Sequence, residues 1–134
     1  MIFVDSSAIY AYLVRDDEHH PRALEAFRRL LTTDDSLLTT NYILVETAAL
    51  LQRRLGVEAV RTLHDDLVPL FRIDWIAEDD HLRAMEAVLT AGRRKLSLVD
   101  CVSFRCMRRL HITTAFAFDD HFREQGFTVV PEPA

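Results

Sequence analysis

Four acidic residues stand where a carboxylate calls for an explanation: Asp5, Glu46, Asp100 and Asp119. Asp5, in IFVDSS, and Asp119, in FAFDDH, each end an apolar strand-like stretch. In open α/β sheets the ligand crevice lies beyond the carboxyl ends of the strands, where the strand order reverses. Either residue alone is explained as well by capping the helix that follows, because aspartate is a favoured N-cap. Glu46, in NYILVETAALL, has Ile43, Ala49 and Leu50 as its helical neighbours, which predicts a carboxylate among apolar side chains. Ile43 stands where a capping box needs a hydroxyl, so Glu46 is not a capping acid. Burying it unpaired would cost several kcal/mol or force protonation, so a counter-charge is expected, from an arginine or a metal ion. Asp100, in SLVDCVSF, faces inward on a wheel that buries Val99, Val102 and Phe104, and with Ser97 it also makes an S-x-x-D capping pair.

Taken together, two strand ends and two helices packed on one sheet would gather four carboxylates in one crevice. Cations or protonation must then relieve the charge. Oxygen-only ligands without histidine or thiol favour hard ions such as magnesium or manganese. One divalent ion would leave two negative charges and a second would leave none, a state that a phosphodiester approaches more readily. Asp120 is the ambiguous neighbour of Asp119.

The elements that must position these acids alternate between strand and helix, which predicts a three-layer α/β/α sandwich around a mainly parallel five-stranded sheet. Strands are expected at Ile2–Val4, Ser36–Thr40, Phe71–Trp75, Ile112–Phe118 and Phe127–Val130. The third follows Pro69 with a half-polar pattern and suits a sheet edge. Helices are expected at Ser7–Val14, Pro21–Leu31, Tyr42–Leu55, Val57–Leu67, Glu78–Ala91, Leu98–Leu110 and Asp120–Gln125. With no linker, repeat or low-complexity stretch, residues 1–134 read as one domain.

Composition narrows the function. The net charge of −5 speaks against nucleic-acid binding by bulk attraction, though a local basic path remains open. Arg93-Arg94-Lys95 precedes the Asp100 helix and would suit such a path, although a charge run is more often a solvated face. The same holds for Arg105, Arg108 and Arg109. Cys101 and Cys106 have neither zinc nor redox spacing and suit plain burial. The six histidines show no zinc spacing either, and His121 is expected at the surface. No apolar run approaches the roughly 18 residues of a membrane span, and Asp5 interrupts the N-terminal stretch too early for a signal peptide, which predicts a cytoplasmic protein. Apolar stripes through Ile9, Tyr10, Tyr12 and Leu13, or Leu24, Phe27, Leu30 and Leu31, would suit the core or a partner helix. Only three glycines occur and none forms a phosphate loop after the first strand, which removes a dinucleotide-binding domain. A haloacid-dehalogenase-like phosphatase would call for an aspartate where Ser7 stands, and a receiver domain for early paired acids.

In order and spacing, VDSSAIYAYL, VET, LSLVDCVSF and AFAFDDHF resemble the PIN-domain ribonucleases, and most nearly the VapC toxins of bacterial toxin–antitoxin pairs. The resemblance runs through nearly the whole chain. It implies metal-dependent hydrolysis of RNA phosphodiesters with one or two Mg2+ or Mn2+ ions. Asp5 and Asp100 match the principal metal ligands, and Glu46 and Asp119 the remaining acids. Ser6 and Asn41 are candidates for supporting hydrogen bonds. Many PIN domains carry a hydroxyl two positions before the last acid, where this chain has Ala117. The resemblance also implies a homodimer and a cognate antitoxin that covers the active site. The alternative is a PIN-like module that binds a protein partner without nuclease turnover.

Overall fold

The computed structural model describes residues 1–133. Five strands, β1 (Ile2–Val4), β2 (Leu37–Thr40), β3 (Phe71–Asp74), β4 (Thr114–Phe116) and β5 (Thr128–Val130), form one sheet in the order β3-β2-β1-β4-β5. Every pairing is parallel. The central β1 is buried throughout, as a strand covered on both faces should be, and β3 holds the predicted edge.

Seven helices complete the alternation: α1 (Ser6–Leu13), α2 (His20–Leu31), α3 (Asn41–Leu55), α4 (Val57–Thr62), α5 (Glu78–Ala91), α6 (Leu98–Arg109) and α7 (His121–Glu124). The strand register shows how the layers close. Val4 pairs with Phe116 and Leu37 with Phe71, and Phe27 of α2 packs on both phenylalanines from that face. Phe3 points the other way and meets Phe122 of α7, which is edge-on to Phe104 of α6. A β-strand sends successive side chains to opposite faces, so one short apolar run feeds both cores.

Two expected boundaries need correction, and one open alternative is decided. The helix predicted over Val57–Leu67 continues only to Thr62, then widens over Leu63–Leu67, where the Val68 N–H donates to the Leu63 carbonyl. Pro69 lacks the N–H that would continue the ladder, and the widened turn keeps both Leu63 and Leu67 buried. The fourth strand covers Thr114–Phe116 rather than Ile112–Phe118. The apolar side chains of α1 and α2 are spent largely on each other and the sheet: Ile9, Phe27 and Leu30 are buried, and Tyr12 stacks on Phe27 at 4.6 Å. Leu31 at the end of α2 stays exposed, and the most exposed large apolar side chains among the described residues are Leu89, Trp75 and Val45. Among the described residues, no helix is long and apolar enough to cross a membrane.

Strand order reverses at β1, which has β2 on one side and β4 on the other. The carboxyl ends of β1 and β4 therefore open the crevice in which a site is expected.

Candidate active site

Asp5 follows β1 directly, and its N–H extends the ladder to the Phe116 carbonyl at 3.0 Å. It is the N-cap of α1, as its sequence context suggests. Its Oδ2 accepts from the Ser7 N–H at 3.2 Å and the Ser7 hydroxyl at 2.6 Å. Among the described residues no donor reaches Oδ1. The residue is only 3% exposed. Burial raises its pKa from 3.8 to about 7; the Ser7 hydrogen bonds oppose the shift, and the charges of Asp100 and Asp119 add to it.

Asp100 also does two jobs. Its N–H donates to the Ser97 hydroxyl and its Oδ2 accepts the Ser97 N–H, each at 3.1 Å, which closes the predicted capping box at the start of α6. The side chain is nevertheless buried, beside helix neighbours Cys101 and Val102 that are buried too. Desolvation raises its pKa against the Ser97 bonds, with the charge of Asp119 adding to the rise.

Asp119 does not end a strand but lies three residues beyond β4. The ladder stops because Phe118 turns its N–H to the Ser7 hydroxyl, at 2.9 Å, after Ala117 has donated to the Val130 carbonyl. Asp119 Oδ1 then accepts the His121 N–H at 2.8 Å, at the entry to α7. Asp120 points away, 90% exposed beside Arg123. A hydroxyl does stand beside these acids, but Ser7 supplies it while Ala117 is buried.

Glu46 departs from expectation. Its Oε1 accepts the Ser6 hydroxyl at 2.5 Å, and among the described residues no basic group lies within 4.0 Å. No arginine is needed because the side chain is only partly buried: Ile43 is in the core, but Ala49 is exposed and Leu50 half-buried. The helix face carrying Glu46 borders a cleft, not the interior.

That cleft, about 440 Å3, is lined by all four acids together with Ser6, Ser7, Tyr10 and Lys95. Asp100 and Asp119 of this cleft and the adjoining His121 each offer a ligand atom, all within 4.8 Å of one another. His121 was expected at the surface, yet its side chain is only 14% exposed and its Nε2 lies 3.9 Å from Asp119 Oδ1. Burial opposes protonation of this imidazole, but Asp119, Glu124 and Asp100 outweigh it and its pKa is raised. The signal available in the sequence was its place two residues after Asp119. Asn41 serves elsewhere, accepting the Ile76 N–H at 2.9 Å. Arg105 pairs with Asp80, Arg109 with Asp74, and Arg108 bonds Gln125, so the α6 arginines hold neighbouring elements rather than lining the cleft. Cys101 and Cys106 are buried free thiols, as expected.

The donor set fits a hard divalent cation: carboxylate oxygens converge, no thiol lines the cleft, and one Asp5 oxygen has no protein donor among the described residues. Burial, with the neighbouring carboxylates adding, raises the pKa of Asp5 and Asp100, a penalty that a bound cation would offset.

Comparison with known proteins agrees with this arrangement. The family model described as PIN domain matches residues 2–127. The chain is 35% identical over 132 residues to the "23S rRNA-specific endonuclease VapC20" of Mycobacterium tuberculosis, covering 97% of this chain and 98% of that protein. The crystal structure of M. tuberculosis VapC20, described as a "Sarcin-Ricin loop cleaving toxin", superposes with a TM-score of 0.84 at 32% identity, over 96% of this chain and 97% of that one. FitAcB from Neisseria gonorrhoeae shares the fold, with a TM-score of 0.70 at 16% identity over 96% of each chain. With its all-parallel sheet, its acidic cleft and these matches, the chain belongs to the PIN-domain family, among its VapC-type toxins.

Proposed function

We propose that this chain is a divalent-metal-dependent endoribonuclease acting as the toxin of a toxin–antitoxin pair. The observation that carries the reading is the convergence of Asp5, Asp100, Asp119 and Glu46 on one cleft without an arginine to neutralise them. Asp5, Asp100 and Asp119 are assigned as metal ligands. Glu46 is assigned as a further ligand or as the group that orients the attacking water. When bound, one or two Mg2+ or Mn2+ ions would supply an acidified water and offset the charge that develops on the phosphate oxygens.

The chain's own residues provide the framework. Ser7 holds Asp5 through two hydrogen bonds and fixes Phe118, which sets the approach of Asp119. Ser97 holds Asp100, and Ser6 fixes one oxygen of Glu46 while the cleft stays open to the other. Such preorganisation keeps the acids in place before substrate arrives.

The substrate class proposed is structured RNA. The M. tuberculosis relative is named for 23S rRNA, so a sarcin–ricin-loop hairpin is the first RNA to test. A cognate antitoxin protein, a homodimer and cytoplasmic residence belong to the same reading.

Purified protein should cut the hairpin with Mg2+ or Mn2+ and stop on chelation or in Asp5→Asn. Equal cleavage by Asp5→Asn, in preparations free of contaminating nuclease, would place the chemistry elsewhere. Tight binding of a protein partner with no metal-dependent cleavage of any RNA would favour a binding module without turnover.

A further inference from the structure

We infer that Lys95, the chain's one lysine, is the substrate-phosphate contact of this cleft, held there by the loop between α5 and α6. The assignment rests on the endoribonuclease reading above and adds to it the residue that meets the RNA backbone.

The loop is built to present a cation. Arg93 and Leu96 close a turn, the Leu96 N–H donating to the Arg93 carbonyl at 3.1 Å, with Lys95 within it. Leu96 is buried and Ser97 is locked into the capping box, which anchors the downstream side. On the other side, His121 Nε2 donates to the Lys95 carbonyl at 3.0 Å, and Arg93 pairs with Glu124 at 3.2 Å. The backbone of Lys95 is thus tied to the same short segment that carries Asp119.

The three neighbouring basic residues are not equivalent. The Arg93 guanidinium is engaged by Glu124, and Arg94 does not line the cleft. Lys95 borders it with Asp5, Asp100 and Asp119, yet among the described residues its ammonium pairs with none of them within 4.0 Å. An exposed lysine on the loop that borders the acids, with no ion pair of its own among the described residues, is free to receive the phosphodiester anion. Charge supports the same choice: at net −5, with four acids around the cleft, RNA must be received by a local cation rather than by the field of the whole protein.

The test compares wild type, Lys95→Gln and Lys95→Arg on the sarcin–ricin-loop hairpin with Mn2+, across a series of salt concentrations. Lys95→Gln should raise KM about tenfold and leave kcat within about twofold. Its slope of log(kcat/KM) against log[salt] should be shallower by about 0.7–0.9, the loss of one phosphate contact. Lys95→Arg should recover most of the KM and the slope. Wild-type cleavage with KM and slope unchanged in Lys95→Gln would overturn the assignment, as would a fall in kcat alone.

Fluorescence anisotropy of the same labelled hairpin, with Asp5→Asn and Asp5→Asn/Lys95→Gln proteins, separates this inference from the nuclease reading. Weaker, less salt-sensitive binding by the double variant supports the contact even if the wild type does not cleave. Identical binding by the two proteins refutes it.

Discussion

Replacing Asp5 by asparagine should make the metal-free protein more stable at pH 8, not less. The folded protein holds this carboxyl at about 7, against 3.8 for a free one, because burial disfavours its charge. With the folded value the higher, its contribution favours the folded state in full below about 3.8. That contribution is lost as the pH rises through 7. At pH 8 the ionised group therefore carries a penalty on the order of 4 kcal/mol at most. Relaxation and water entry should reduce the measured gain on substitution to roughly 1–3 kcal/mol. Asparagine can still accept the Ser7 N–H, so the cap on α1 survives. The assay is thermal and urea unfolding in EDTA between pH 5.5 and 8, repeated with Mn2+. Wild type should lose stability as pH rises and regain it with Mn2+. Asp5→Asn should show a flatter profile, a midpoint higher by roughly 3–10 °C at pH 8, and little response to metal. A variant less stable than wild type at pH 8 in EDTA would refute the electrostatic account of the cleft.

Other substitutions separate the framework from the chemistry. Glu46→Gln keeps an acceptor for Ser6 and should lower cleavage by about 100-fold or more while unfolding within roughly 0.5 kcal/mol of wild type, checked by single-turnover kinetics and urea titration. Ser7→Ala deletes a donor to Asp5 and the acceptor of the Phe118 N–H, and should cost about 1–2 kcal/mol by urea unfolding, with weaker Mn2+ binding by calorimetry. Phe122→Ala removes a fully buried ring that packs on Phe3 and Phe104. It should cost about 3–5 kcal/mol, read as a fall in urea midpoint.

The parts of the fold written in local chemistry were legible in the sequence. Helix α5 runs over Glu78–Ala91 as predicted because an acidic first turn starts it and Gly92, at φ 61°, stops it. The unbroken apolar Ile2–Val4 announces a central strand. The overshoot of β4 has a tertiary cause: Ala117 and Phe118 are as apolar as the strand before them. What ends the ladder is a hydrogen bond to Ser7, 111 residues away in sequence. Glu46 shows a different limit. A helical wheel separates buried from exposed faces but cannot distinguish a face turned to the core from one turned to a cleft. The expected counter-charge followed from the first case, and the Ser6 bond belongs to the second. Asp5 and Asp100 both hold helix starts and line the same acidic cleft, so capping chemistry and membership of the cluster do not compete for either residue.

The double employment of Asp5 and Asp100 has a consequence for descent as well as for mutagenesis. A lineage that ceased to cut RNA would still be under pressure to keep a capping side chain, aspartate or asparagine, at both places, since the first turns of two helices depend on one. Alanine at either place would damage folding as well as the proposed metal site, so an inert alanine protein says little about chemistry. Glu46 caps nothing. In a retired copy of this toxin it is the acid that should drift first, which makes that position the most informative one to inspect when telling working cousins from silent ones.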